Sequence, residues 1–163
     1  MTLVLRPATR EDAARCAEIY RPFVCHSAIT FEEEAPDEVQ MAARITEYQA
    51  SHTWLVAEVD GEVAGYAYAG PHNARAAYKP SVNVSVYVDP AYARRGIGRV
   101  LYTDLFATLR VQQRHAVFAL ITLPNAASVA LHEALGFRPV GVLKEVGWKF
   151  EAWHDVGWWQ LLL

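Results

Sequence analysis

The stretch Arg94-Arg95-Gly96-Ile97-Gly98-Arg99 holds the residue types, at the spacing, that could do chemistry. Two glycines at the start of a helical pattern let the backbone curl so that several free N–H groups point at one place. With the positive end of the helix dipole, they make an anion site suited to a pyrophosphate. The three arginines add charge and planar phosphate donors. Two other phosphate motifs do not fit. A dinucleotide fingerprint needs a third glycine where Tyr102 stands, and no lysine-serine pair of a nucleoside-triphosphate loop follows. Taken alone, the glycines read as a tight turn with solvated arginines beside it.

The elements around this loop give it more weight. Val84, Val86 and Val88 alternate with Ser85 and Tyr87, the period of a strand. Asp89-Pro90 stops that strand, because proline lacks an N–H and biases its neighbour away from helix. Val100, Leu101, Leu105 and Leu109 then mark a helix over Gly98–Gln113. A strand, an anion-binding turn and an amphipathic helix thus occur in succession.

The remaining chain supplies a frame. Leu3–Arg6 reads as a first strand ending at Pro7. Thr9 caps a helix carrying Ala13, Cys16, Ile19, Tyr20 and Phe23, and Asp37–Gln49 is a second helix. Trp54–Val59 and Val63–Ala69 are strands joined at Asp60-Gly61, a pair that tolerates the positive φ of a two-residue turn. Ala116–Thr122 is an apolar buried strand. Asn125–Leu135 is a short helix closed by Gly136, and Pro139–Phe150 and Asp155–Leu163 are the last two strands. The order βααβββαβαββ describes an α/β sandwich around a mixed sheet.

At 163 residues, a single domain over 1–163 is expected. Apolar content is 53% and charged content 20%, which excludes a disordered chain, and a net charge of −3 argues against general nucleic-acid binding. Cys16 and Cys25 have neither metal nor disulfide spacing. His26, His52, His115 and His154 show no ligand spacing, so no metal is expected. The absence of a signal or transmembrane run makes the cytoplasm the expected location and a membrane partner unexpected.

The valine strand, the Asp-Pro stop, Arg-Arg-Gly-Ile-Gly and the later Asn125…Ser128…Leu131-His132-Glu133…Leu135-Gly136-Phe137 together resemble the GNAT superfamily of acyl-CoA-dependent N-acetyltransferases. Trp54–Glu58, Ala67–Pro71, Val84–Pro90, Leu131–Pro139 and Val146–Gly157 further resemble its phosphinothricin and methionine sulfoximine (sulfone) N-acetyltransferases. The resemblance spans nearly the whole chain. It implies a GNAT fold, with about seven strands splayed at the fourth and fifth and flanked by helices. It also implies acetyl-CoA as co-substrate, a small amino acid or analogue as amine, and a homodimer.

Roles follow from the same resemblance. Arg94, Arg95, Gly96, Ile97, Gly98 and Arg99 would hold the pyrophosphate of coenzyme A. The amides near Val86 and Val88 would pair with the pantetheine arm and polarise the thioester, and Asn125 would bind nearby. Arg75 and Tyr78 would hold the amino-acid carboxylate, and Phe31 would wall the side-chain pocket. His132 stands where many relatives carry a tyrosine acid. It could donate to the leaving thiolate, accept through water, or only pack against coenzyme A. Asn83 takes the position of a glutamate proposed as general base, and an amide cannot accept that proton. Three readings stay open: a water route to His132 or a carboxylate such as Glu34, slow chemistry, or a different substrate bound directly by Asn83. The alternatives to an amino-acid acetyltransferase are a GNAT enzyme for another amine and a non-catalytic acyl-CoA-binding protein. Trp148, Trp153, Trp158 and Trp159 are expected mostly in the core, with some at a dimer interface.

Overall fold

Alternating apolar runs form seven strands of one sheet in a computed structural model that describes residues 1–163. In chain order the elements are β1 (Leu3–Pro7), α1 (Ala13–His26), α2 (Glu38–Ser51), β2 (Thr53–Val59), β3 (Glu62–Pro71), β4 (Ser81–Val88), α3 (Ile97–Val111), β5 (Ala116–Leu123), α4 (Ala126–Ala134), β6 (Arg138–Lys149) and β7 (Ala152–Leu162). The strands lie in the order β1-β2-β3-β4-β5-β7-β6. All neighbours are antiparallel except β4 and β5.

The strand period of two sorts side chains between two cores. Leu55, Ala57, Ala67, Val82, Val84 and Val117 pack on one face with Leu101, Leu105 and Leu109 of α3. Trp54, Val56 and Tyr66 pack on the other with Ile19 and Tyr20 of α1 and Met41 and Ile45 of α2. Helix α2 starts where Asp37 accepts from the Gln40 N–H at 2.8 Å, while Gln40 accepts from the Asp37 N–H at 3.0 Å. The Asp60-Gly61 turn has φ of 53° and 88°, as the hairpin reading required.

Two boundaries differ from expectation. The helix expected from Thr9 begins as a 3₁₀ turn, Arg10–Asp12, because Asp12 accepts from the Thr9 N–H at 2.7 Å and tightens that turn. The last hairpin turns at Phe150-Glu151, so β7 starts at Ala152 rather than Asp155. The four tryptophans also separate. Trp159 is buried, whereas Trp148 on β6 and Trp153 at the start of β7 are 53% and 58% exposed: β6 is an edge strand, and β7 pairs with β5 only from Asp155 onward. Val140, Val142, Leu143, Val146 and Phe150 share that exposure.

Candidate active site

The site begins where the sheet comes apart. β4 and β5 pair only at Ser81↔Ala116, Val82↔Val117 and Asn83↔Phe118, and then diverge. On its other side β4 stays paired to β3 as far as Gly65↔Val88. The Asp89 N–H donates to Ala64 on β3. Alternation along the strand therefore turns the amides of Val84, Val86 and Val88 the opposite way; that of Val84 closes the last parallel bridge at Asn83↔Phe118, and those of Val86 and Val88 face the gap. A cleft opens in that gap, lined by Val84–Tyr87, Ala119–Thr122, Tyr102, Asn125 and His132 among others. Unpaired amides in such a cleft can bond an extended ligand arm or a developing oxyanion.

The arginine–glycine loop stands at one end of α3. Gly96 caps the helix with φ of 78°, in open space, and Arg94 also has positive φ at 62°. These conformations turn the chain so that the first N–H groups of α3 have no partner within the helix. The Val100 N–H is the first to close a turn, on the Gly96 carbonyl at 3.1 Å. Gly98 faces Val86 and Val88 of β4 and Leu131 of α4, so the loop abuts the open part of the cleft. Arg94, Arg95 and Arg99 are exposed, and none forms an ion pair within the chain. Ile97 differs from them. Its side chain is core and only its amide is available. Asn125 caps α4 by accepting from the Ser128 N–H at 3.1 Å, which leaves its Nδ2 for a ligand.

His132 is buried and both its nitrogens are engaged. Nδ1 donates to the Ser128 carbonyl at 2.7 Å, since a carbonyl only accepts. Nε2 lies 3.2 Å from the Tyr102 hydroxyl, which donates to it when the imidazole is neutral. Burial lowers the His132 pKa, against a smaller raising effect of the Ser128 carbonyl. Burial raises the Tyr102 pKa far above the ordinary phenol value. At neutral pH the pair is therefore a neutral imidazole holding a protonated phenol at the cleft wall. The resemblance implied a role for His132 alone. Tyr102 was visible only as the residue that breaks a glycine pattern.

The face of the sheet under α1 and α2 carries the other groups. Ile29, Leu120 and Thr122 line the cleft and also an apolar pocket with Phe31, Leu143, Val146, Val156 and Trp158. The Phe31 ring lies on the backbone of Gly147, where an added Cβ would come within 2.2 Å of it. Lys149 fixes this loop from below: its buried ammonium donates to the Val24 and Thr30 carbonyls at 2.7 and 2.8 Å. Asn83 Oδ1 meets His72 Nδ1 at 2.8 Å. Arg75 and Tyr78 line a separate surface groove with His52, Lys79 and Arg114, although the Tyr78 ring comes within 5.7 Å of His72. Glu34 is exposed, and the neighbouring Glu32 is held by Arg44 and Tyr20, of which Arg44 lowers its pKa most.

A parallel pair that opens beside a glycine-rich helix start is the arrangement of an acyl-CoA-dependent acetyltransferase, and the comparisons agree. Residues 5–158 match the Acetyltransferase (GNAT) domain, and the chain belongs to this family. The chain is 43% identical to a phosphinothricin N-acetyltransferase of Streptomyces viridochromogenes, over 96% of this chain and 85% of that one. It is 34% identical to an L-methionine sulfoximine/L-methionine sulfone acetyltransferase of Salmonella typhimurium, over 99% and 95%. A phosphinothricin acetyltransferase of Sinorhizobium meliloti, solved with acetyl-CoA, superposes with a TM-score of 0.95 at 35% identity, covering 100% of this chain and 89% of that one. No helix is long and apolar enough to cross a membrane.

Proposed function

We propose that this chain transfers acetyl from acetyl-CoA to the α-amine of a small amino acid of the phosphinothricin or methionine sulfoximine (sulfone) type. The observation that carries the proposal is the loss of β4–β5 pairing after Asn83↔Phe118, with the Val86 and Val88 amides turned into the gap beside a free helix start. In this reading the Ile97–Arg99 amides, Gly96, Gly98 and the guanidinium groups of Arg94, Arg95 and Arg99 hold the pyrophosphate. The Val86 and Val88 amides and Asn125 hold the pantetheine arm. The amine attacks the thioester carbon, the carbonyl oxygen becomes an oxyanion facing strand amides, and the C–S bond breaks to release thiolate. Tyr102 lies on the leaving-group side, and its one hydroxyl hydrogen, which rests on His132 Nε2, turns to that sulfur as the thiolate forms. Phe31 bounds the side-chain pocket, and Arg75 with Tyr78 meets the carboxylate from the 72–80 loop. The exposed aromatic and aliphatic side chains of β6 and its turn make the surface through which two copies would form a homodimer.

Thiol release with phosphinothricin, methionine sulfoximine, methionine sulfone and a polyamine tests the reading. Turnover on the amino acids and none on the polyamine is expected; acetyl-CoA binding without turnover on any amine would overturn it. Gly147→Ala is expected to displace the Phe31 ring. Its KM for the amine should rise roughly tenfold through misplacement of the substrate, with little change in the KM for acetyl-CoA. Equal changes in both constants would show that the glycine serves the fold instead.

A further inference from the structure

An α-ammonium has no lone pair, so some group must take its proton before attack. The face that carries the amine pocket offers few acceptors. His132 has one nitrogen donating to Ser128 and the other taken by Tyr102. Glu32 is bound by Arg44 and Tyr20. His72 is different. Its Nδ1 faces Asn83 Oδ1 at 2.8 Å, and a carboxamide oxygen only accepts, so Nδ1 carries the hydrogen. The lone pair is then on Nε2, for which the chain supplies no hydrogen-bond partner.

The ring is also held in place. It stacks on Phe118 at 4.4 Å with 24° between planes, and meets the Trp158 ring edge-on at 5.8 Å. Asn83 and Phe118 form the last β4–β5 pair before the strands part, so the imidazole packs against the pair that adjoins the cleft-lining Val84 and Ala119. Trp158 is a wall of the apolar pocket that continues from that cleft. Asn83 from β4, Phe118 from β5, Trp158 from β7 and Tyr78 from the following turn pack against the ring. Of these only Tyr78 titrates; Arg75 and Lys79 are the charged residues of the same loop.

We infer that His72 Nε2 is the proton acceptor for the attacking amine, with Asn83 as the residue that positions it; this rests on the acetyltransferase reading above. The ammonium gives one proton to Nε2, leaving a free amine and an imidazolium. The nitrogen lone pair forms the C–N bond at the thioester carbon, and collapse of the tetrahedral adduct breaks C–S with its electron pair on sulfur. The second nitrogen proton is lost as the amide forms and ends on the thiolate, while His72 returns its proton to solvent. A neutral asparagine thus serves where direct acceptance by that side chain is chemically excluded.

The test compares the unaltered protein with His72→Phe, which keeps an aromatic ring on Phe118, and with Asn83→Asp. The assays use acetyl-CoA and methionine sulfone, with acetyl-CoA affinity read by calorimetry and folding by thermal melting. His72→Phe is expected to lose about 100-fold in kcat/KM for the amine and to lose the acidic limb of its pH profile, with acetyl-CoA affinity and melting unchanged. Added imidazole should restore part of the rate. Asn83→Asp places a carboxylate against Nδ1–H, which favours the imidazolium, so the acidic limb should move up by about one pH unit. Full activity with an unchanged profile in His72→Phe, or an acidic limb unmoved in Asn83→Asp, would overturn this inference alone. No turnover by the unaltered protein on any amine would overturn the acetyltransferase reading and this inference together.

Discussion

Replacing Arg94, Arg95 and Arg99 together by glutamate is expected to raise the KM for acetyl-CoA on the order of 100-fold at low ionic strength. All three are exposed at the start of α3, and no carboxylate in the chain neutralises them. Their field adds to that of the unpaired helix amides, so reversing it sets three negative charges against a diphosphate. The fold should not suffer, because the core residues of α3 are Ile97, Leu101, Tyr102, Leu105, Phe106 and Leu109 and none of the three arginines is among them. The kcat at saturating acetyl-CoA should change far less than KM, since binding is lost equally from ground and transition states. Raising salt should shrink the difference through screening. A KM that is unaffected at every ionic strength would remove the loop from the acyl-donor site.

The second large effect concerns the buried pair on α3 and α4. His132→Ala is expected to lower kcat about 100-fold. It should also lower stability, because it leaves a cavity and strips the Tyr102 hydroxyl of the acceptor at 3.2 Å. An orphaned buried hydroxyl alone costs about 1–3 kcal/mol. Tyr102→Phe separates the two contributions. It retains the ring stacked on Phe106 at 5.2 Å and removes only the proton donor at the leaving-group side. Its melting temperature should fall less than that of His132→Ala, while its kcat falls by a comparable factor. Unchanged kcat in Tyr102→Phe, with a reduced melting temperature in His132→Ala, would make the pair a packing device.

Much of this site could be read from local sequence. The β4 valines, the Asp-Pro stop and the Arg-Gly loop are each set by residues within a few positions, and they lie where the pattern placed them. The opening between β4 and β5 is different. Val84–Val88 is an ordinary strand in sequence, and only the place where β5 leaves it decides that its amides stay free. His72 and Asn83 are eleven positions apart. The β3–β4 register, Gly70↔Asn83 and Pro71↔Val82, brings them together, so counting back from the turn could have found the pair. Tyr102 and His132, on separate helices, offered no such count. Phe150-Glu151 turns with φ of 53° and 56° without a glycine or asparagine to announce it, which is why the start of β7 was misplaced. Which of the four tryptophans face outward was open for a related reason: hydrophobicity reports the wish for burial but not which strand lies at the rim.

Lys149 gives β6 a consequence for the rest of the molecule. The strand seats Phe31 against Gly147, presents Trp148 to the outside, and at Lys149 grips the chain at Val24 and Thr30. The outer rim of the sheet and the wall that would measure a substrate's side chain are therefore one mechanical part. A partner that clasped the tryptophan ledge would thereby also set the tolerance of the pocket behind it, and quaternary contact and substrate choice would then have to evolve in step.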